Sequence, residues 1–261
     1  MISKAIFKSE AELCATFIKQ VPKDWVAYPE TCGFDIVLVR PSDGCQIGVE
    51  AKMTLNAKVL LQAVETTPRY RVHNPDFRAV LVPWGTAGSE MMAIARKLWI
   101  TVIQMKSKEL YLALRRSTYS RLKFEPELPD VLGREWYTDT YWRDCAPAER
   151  LQLPEYVPDV RAGASAPSTL SEWKIKAIKI CVLLEKRGTI TIDDFRQIGI
   201  DRRRFMEMGW IQQHQARGQY VVGKYPLDLR RQHPRNYVEI EAHFDRWAPP
   251  IAALQIEAVL V

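Results

Sequence analysis

Three ionisable residues sit where a strand hairpin would ordinarily be apolar. In "GFDIVLVRPSDGCQIGVEAKMTLN", Gly33 to Asn56, Asp35 opens one apolar run and Glu50-Ala51-Lys52 closes the next. Side chains alternate faces along a strand, so Glu50 and Lys52 point the same way, with Ala51 behind them. The turn signal "PSDG" between the runs brings the start of the first strand beside the end of the second, where Asp35 can face Glu50. Two carboxylates and a backbone carbonyl make a hard oxygen site suited to Mg2+ or Mn2+. A lysine beside it can orient or deprotonate a water, or offset the charge of a phosphorane-like species. Unpaired, such charges are costly on a largely buried strand. The plain alternative is a structural salt bridge between Lys52 and one acid, with the other acid solvated.

The elements around this hairpin alternate helix and strand. "SEAELCATFIKQV" reads as a helix, with Leu13, Phe17 and Val21 at helical spacing and Ser9 with Glu12 as a capping box. "DWVAYP" is a short strand. After the hairpin, "NAKVLLQAVETT" reads as a helix stopped by Pro68, with Lys58 and Gln62 four apart on one face. "FRAVLVP" and "ITVIQM" are apolar strands of the buried kind, separated by the helix "SEMMAIARKLW" opened by Ser89. "ELYLAL" is expected to be a further strand. The run predicts a partly parallel α/β sheet with helices on its faces.

From about Arg115 the pattern breaks. Residues 115–168 hold six of the sixteen prolines, the aromatic cluster Trp136, Tyr137, Tyr141 and Trp142, and end in "RAGASAPST". The aromatics fit a plug packing this segment against the domain, or a platform for stacked bases. A second domain follows. "LSEWKIKAIKICVLLEKRG" is an amphipathic helix ending at Gly188, and "TITIDDFRQIGI" is a short strand and a short helix. "DRRRFMEMGWI" is a helix capped by Asp201, and "WIQQHQARGQYVVG" is a hairpin turning at Ala216 to Gly218. That order is the order of a winged helix-turn-helix. "NYVEIEAHFDRW" adds a helix, and "PPIAALQIEAVLV" is an apolar end without an assignment.

Charge separates the two parts. The chain has 261 residues and a net charge of +6; residues 168–235 carry 14 Lys/Arg against 7 Asp/Glu, and the remainder is close to neutral. A basic C-terminal third predicts a polyanionic partner, most simply DNA. Arg202, Arg203 and Arg204 fall in the first turn of a helix, where positive charge opposes the helix dipole. A recognition helix entering the major groove gives a reason to tolerate that cost. Arg217, at the hairpin tip, stands where a wing would meet the DNA backbone or minor groove. A basic solvated surface, or a winged domain used for protein contacts, is the bland counterpart.

Other chemistry is disfavoured. Five cysteines, an odd number without C-x-x-C spacing, read as reduced thiols, and four scattered histidines lack metal-site spacing. No run is long and apolar enough to cross a bilayer, and the first residues turn charged too soon for a signal peptide. The expectation is a cytoplasmic protein without a membrane partner.

Asp35 followed fifteen positions later by Glu50-Ala51-Lys52 resembles the signature of the PD-(D/E)XK nuclease superfamily. The superfamily core is a helix, three antiparallel strands, a helix and a strand. Residues 5–105 carry the resemblance. The superfamily's proline is absent here, and Phe34 precedes Asp35. The resemblance implies a restriction-endonuclease-like fold in which Asp35, Glu50 and the Ala51 carbonyl bind Mg2+ (or Mn2+) and Lys52 activates or positions the attacking water. It further implies that Glu12, or else Glu10, contacts a metal through water, beside its capping role. Lys58 and Gln62 would hold the scissile phosphate or the lysine. The whole chain is similar to a group of bacterial proteins of this superfamily that append a basic winged helix, which also admits a phage or mobile-element setting.

The expected organisation is therefore a nuclease-like domain over 1–114, a Pro- and aromatic-rich connection over 115–168, a winged helix-turn-helix over 169–235 and an extension over 236–261. The expected activity is metal-dependent hydrolysis of DNA phosphodiesters, with a homodimer as one way to cut both strands. A non-catalytic DNA-binding regulator on a nuclease fold, and a structural or inhibitory interaction protein, are the alternatives.

Overall fold

The computed structural model describes residues 7–65, 73–114, 123–130, 141–163 and 169–250. Trp136, Tyr137, Pro68 and most of the apolar end lie outside these residues. The chain divides into two units. The first comprises Met1–Leu153 and Val160–Thr169, the second Pro154–Asp159 and Leu170–Val261. The chain thus enters the second unit, returns to the first, and enters the second again.

The first unit is built on a mixed sheet of six strands, β1 (Val26–Thr31), β2 (Phe34–Arg40), β3 (Cys45–Ala51), β5 (Phe77–Pro83), β6 (Ile100–Met105) and β7 (Phe124–Glu125), in that spatial order. β1, β2 and β3 are antiparallel neighbours, β5 and β6 run parallel to β3, and β7 is antiparallel to β6. The short strands β4 (His73–Asn74) and β8 (Glu149–Arg150) pair separately. The β1–β2 hairpin closes through Cys32 (φ 54°) and Gly33 (φ 87°), two left-handed residues whose twist suits a two-residue turn.

Strand alternation supplies both faces of the sheet with apolar rows. Val49, Ala51, Ala79, Leu81 and Ile103 join Leu13, Cys14 and Phe17 of α1 (Glu10–Ile18) in one core cluster. Val80, Val82 and Val102, on the other face, pack with Val59, Leu60 and Ala63 of α2 (Ala57–Glu65) and Ala95 of α3 (Ser89–Lys97). The helices therefore flank the sheet, as α/β alternation predicts.

Local chemistry decides the departures from expectation. "ELYLAL" lies in a helix, α4 (Lys108–Leu114), not in a strand. The Ser107 hydroxyl accepts the Leu110 N–H at 3.2 Å and the Ser107 carbonyl accepts the Tyr111 N–H at 2.8 Å. That cap starts a helix in a sequence whose short apolar pattern is ambiguous. Ser9 caps α1 by accepting the Glu12 N–H, but the Glu12 carboxylate bonds the Lys8 N–H at 2.7 Å and not that of Ser9. Trp142 is 1% exposed, donates its indole N–H to the Glu127 carbonyl at 2.7 Å and meets Phe77 edge-on. At that residue the aromatic segment is a plug.

The second unit is mostly helical. α5 (Glu172–Arg187), β9 (Ile190–Thr191), α6 (Ile192–Ile198), α7 (Arg203–Glu207), β10 (Ile211–Gln213) and β11 (Gln219–Val222) are followed by α8 (Leu229–Gln232), α9 (Pro234–Ala242) and α10 (Phe244–Trp247). The three strands form one antiparallel sheet in the order β10, β11, β9. Ile178, Leu183, Phe195, Phe205, Tyr220, Tyr237 and Ile240 share its core. The segment Pro154–Asp159 is part of this unit. Asp159 accepts the N–H groups of Arg235 and Asn236, at the start of α9, and pairs with His233, which is 0% exposed.

Candidate active site

The last paired rung between β2 and β3 is Ile36 with Val49, so the next position sets Asp35 opposite Glu50. The ladder opens there. Ala51 pairs with Leu81 in the parallel register and the Lys52 N–H donates to the Leu81 carbonyl at 2.9 Å. In a parallel pair this alternation turns the N–H and C=O of Ala51 away from β5, toward β2. The Asp35 carboxylate occupies the gap and accepts the Ala51 N–H at 2.7 Å. A side chain thus stands where a backbone rung would be, and the Ala51 carbonyl lies on the same strand edge.

Glu50 is only 8% exposed. Its carboxyl is pushed up to about 8, first by burial and then by the neighbouring Asp35, with Glu30 and Glu10 adding to the rise and Lys52 opposing it. Burial raises Asp35 as well, Glu10 adds to that, and the Ala51 N–H and Lys52 act against it. Lys52 is the first residue beyond β3, and its ammonium meets the Glu10 carboxylate of α1 at 3.1 Å. Among the described residues neither Asp35 nor Glu50 forms an ion pair, so the plain alternative of a salt bridge from Lys52 to one of them is absent.

Sequence reasoning singled out Asp35, Glu50, Ala51 and Lys52, and the structure brings them together at one end of β3. It places Glu10 at the lysine, while Glu12 is engaged with Lys8. Glu30 was missed. The β1–β2 register pairs Pro29 with Ile36 and Thr31 with Phe34, so Glu30 stands opposite Asp35. Glu30, Asp35 and Glu50 form one row across three strands. Counting back from the Cys32-Gly33 turn would have found this row. Lys58 and Gln62 lie on the exposed side of α2.

A cation beside buried acids held above their ordinary range would stabilise their charged forms. Among the described residues, no group of three or more His, Cys, Asp or Glu side chains is arranged to hold a metal ion. Mg2+ does not demand one, since it is commonly held by one or two carboxylates with water and substrate phosphate completing its shell. Asp35, Glu50 and the Ala51 carbonyl fit that donor set.

In the second unit the arginine run divides. Arg202 donates to the Tyr220 hydroxyl at 2.9 Å and lies over its ring. The Arg204 guanidinium stacks on Trp173, 4.6 Å from the ring centroid. Arg203, Arg204 and Arg217 are exposed, so Arg204 combines its ring contact with access to solvent. Arg202 is the cap residue of α7, and Asp201 accepts the Arg203 N–H at 2.9 Å. Compared with known protein families, with curated proteins and with solved structures, the chain matches none. No helix among the described residues is long and apolar enough to cross a membrane.

Proposed function

We propose that the chain is a metal-dependent DNA endonuclease of the PD-(D/E)XK type, with its second unit acting as a winged-helix module that binds DNA. The observation that carries this reading is the opening of the β2–β3 ladder, where Asp35 faces buried Glu50 one residue before Ala51 and two before Lys52. The order α1, β1, β2, β3, α2, β5 supports it, because a helix, three antiparallel strands, a helix and a strand is the core that the resemblance implies. The order α5, β9, α6, α7, β10, β11, with β9 pairing to β11, supports the winged-helix reading in the same way.

Asp35, Glu50 and the Ala51 carbonyl would hold Mg2+ or Mn2+, and that ion would supply Lewis-acid polarisation of the phosphodiester. Lys52 orients the water that attacks phosphorus in line. The P–O bond to the leaving sugar oxygen breaks on the opposite side, the attacking water giving up a proton to solvent and the leaving oxygen taking one from it. Glu10 holds the lysine ammonium in place from α1. Burial keeps Glu50 from binding cations at the surface and sharpens its interaction with one at the strand end.

The test is cleavage of plasmid, branched and single-stranded DNA with Mg2+ or Mn2+. Wild type should cut at least one form, and Lys52→Ala should lower kcat by about 100-fold or more. Cleavage of no form would sink the nuclease reading, as would full activity in Lys52→Ala. The alternative is a non-catalytic DNA-binding role. It predicts no Mn2+ binding that depends on Asp35 and Glu50 by calorimetry.

A further inference from the structure

Glu30 has a backbone conformation that few non-glycine residues adopt, with φ at 47°. Residues held in such conformations persist where surrounding contacts over-determine them. The contact here is with the returning segment of the first unit. The Glu30 carboxylate accepts the Gly163 N–H at 2.7 Å. Gly163 in turn lies against the first turn of α1. A Cβ added to it would stand 3.0 Å from the Glu10 carbonyl carbon, 3.1 Å from the Ala11 nitrogen and 3.1 Å from the Cys14 sulfur. Its φ of +68° is also one that favours glycine. Glu10, on that turn, holds Lys52 at 3.1 Å.

These contacts form one chain, Glu30 to Gly163 to the first turn of α1 to Lys52. We infer that Glu30 is a positioning residue: by binding the Gly163 N–H it seats residues 160–163 against α1 and so sets Glu10 at Lys52. The same bond draws the Glu30 carboxylate onto Gly163, although its register places it across from Asp35. This inference rests on the nuclease reading for its consequence, but its geometry can be read without cleavage.

The experiment compares Glu30→Ala, Glu30→Gln and Gly163→Ala with wild type and Glu10→Gln, each in the full chain. Glutamine keeps an oxygen that can accept the Gly163 N–H; alanine does not. The Gly163→Ala methyl meets backbone atoms of α1 that have little room to give. The first readout is the NMR position of the Lys52 side-chain Cε–Hε signal. In Glu30→Ala and Gly163→Ala it should move toward its position in Glu10→Gln, and in Glu30→Gln it should stay with wild type. The second readout is cleavage at saturating DNA. We expect kcat to fall about ten- to 100-fold in Glu30→Ala and Gly163→Ala with KM within about twofold, because small misplacements of a reacting group cost that much. Glu30→Gln should retain most activity.

An unmoved Lys52 signal in Glu30→Ala, with the rest of the spectrum folded, would overturn the inference. Equal effects of Glu30→Ala and Glu30→Gln would do so too. If either alanine variant does not fold, Glu30→Gln against Glu30→Asp decides in its place, since the shorter acid cannot reach Gly163 from the same backbone. Absence of cleavage by wild type overturns the nuclease reading alone, and the Lys52 signal still decides the role of Glu30.

Discussion

Glu50 links protonation to folding in a direction opposite to that of most paired carboxylates. Its carboxyl is held at about 8 in the fold against an ordinary 4.5, so the folded state binds the proton more tightly than the unfolded state. Stability from this group is fully present below about pH 4.5 and is lost as pH rises toward 8. Each tenfold difference in proton affinity between the two states corresponds to about 1.4 kcal/mol, so the loss across that window is on the order of 5 kcal/mol. Asp35, raised for the same first cause, acts in the same direction. Asp43 does the reverse. Its bonds to Arg40 lower it to about 2, and its contribution disappears only as pH falls below about 4. Urea midpoints measured from pH 5 to pH 8.5 should therefore fall in wild type and stay flatter in Glu50→Gln. Mn2+ should restore the wild-type midpoint at high pH and leave Glu50→Gln less changed. A wild-type midpoint that rises across this window would contradict the assignment. The acid pair and the lysine were legible in the sequence because alternation and one turn sufficed to align them. The choice between Glu10 and Glu12 was not legible. Both sit in the first turn of α1, and only the packing angle of that helix decides which one reaches β3.

At the scale of elements, the arginine run shows how far charge counting goes. Three consecutive arginines read as one basic feature, yet an α-helix turns each about 100° from the last. Arg202 and Arg204 are drawn onto Tyr220 and Trp173, Arg204 remaining exposed, and Arg203 faces solvent. Aromatic partners from α5 and β11 could not be assigned before the fold was known. DNA affinity should therefore depend on Arg203 and Arg217. Replacing either with alanine should weaken binding and reduce the slope of log K against log salt by about one. Arg204→Ala should lower thermal stability by about 0.5–1 kcal/mol through the lost ring contact, with a smaller effect on DNA. Binding titrations at several salt concentrations, set beside melting curves, separate the two. Loss of affinity in Arg204→Ala at an unchanged melting temperature would reverse the assignment. The strands were more legible than the short helices. β5 and β6 are largely apolar runs, whereas α4 hides in "ELYLAL", where only the Ser107 cap tells a helix from a strand.

For the molecule as a whole, the double passage between units was not legible, because proline-rich composition says where regular structure stops and not which core takes up the chain. Pro154–Asp159 belongs to the second unit although the first resumes at Val160. This short stretch contributes more than a connection. Asp159 caps α9 through Arg235 and Asn236, Asn236 donates to the Val157 carbonyl, and Glu155 pairs with Lys179. His233 rests between Asp159 at 3.1 Å and Lys174 at 3.2 Å. A fragment starting at Thr169 lacks Glu155, Val157 and Asp159, whereas one starting at Pro154 keeps them. Losing a helix cap and the partner of a buried histidine costs at least about 1–2 kcal/mol. The shorter fragment should then melt about 5–15 °C below the longer one. Equal melting temperatures would show that the stretch is dispensable.

That passage also governs how the second unit could be exchanged. A gene fusion broken in the "GASAPST" stretch leaves six residues of the second unit behind on the donor. The transplanted unit arrives without Asp159, the carboxylate partner of His233. An exchange that keeps the module whole must carry the loop at 154–159 and therefore the return through Gly163. A recipient must then supply contacts for Gly163 like those that Glu30 and α1 provide here. Recombination should therefore tend to move the two units as one piece.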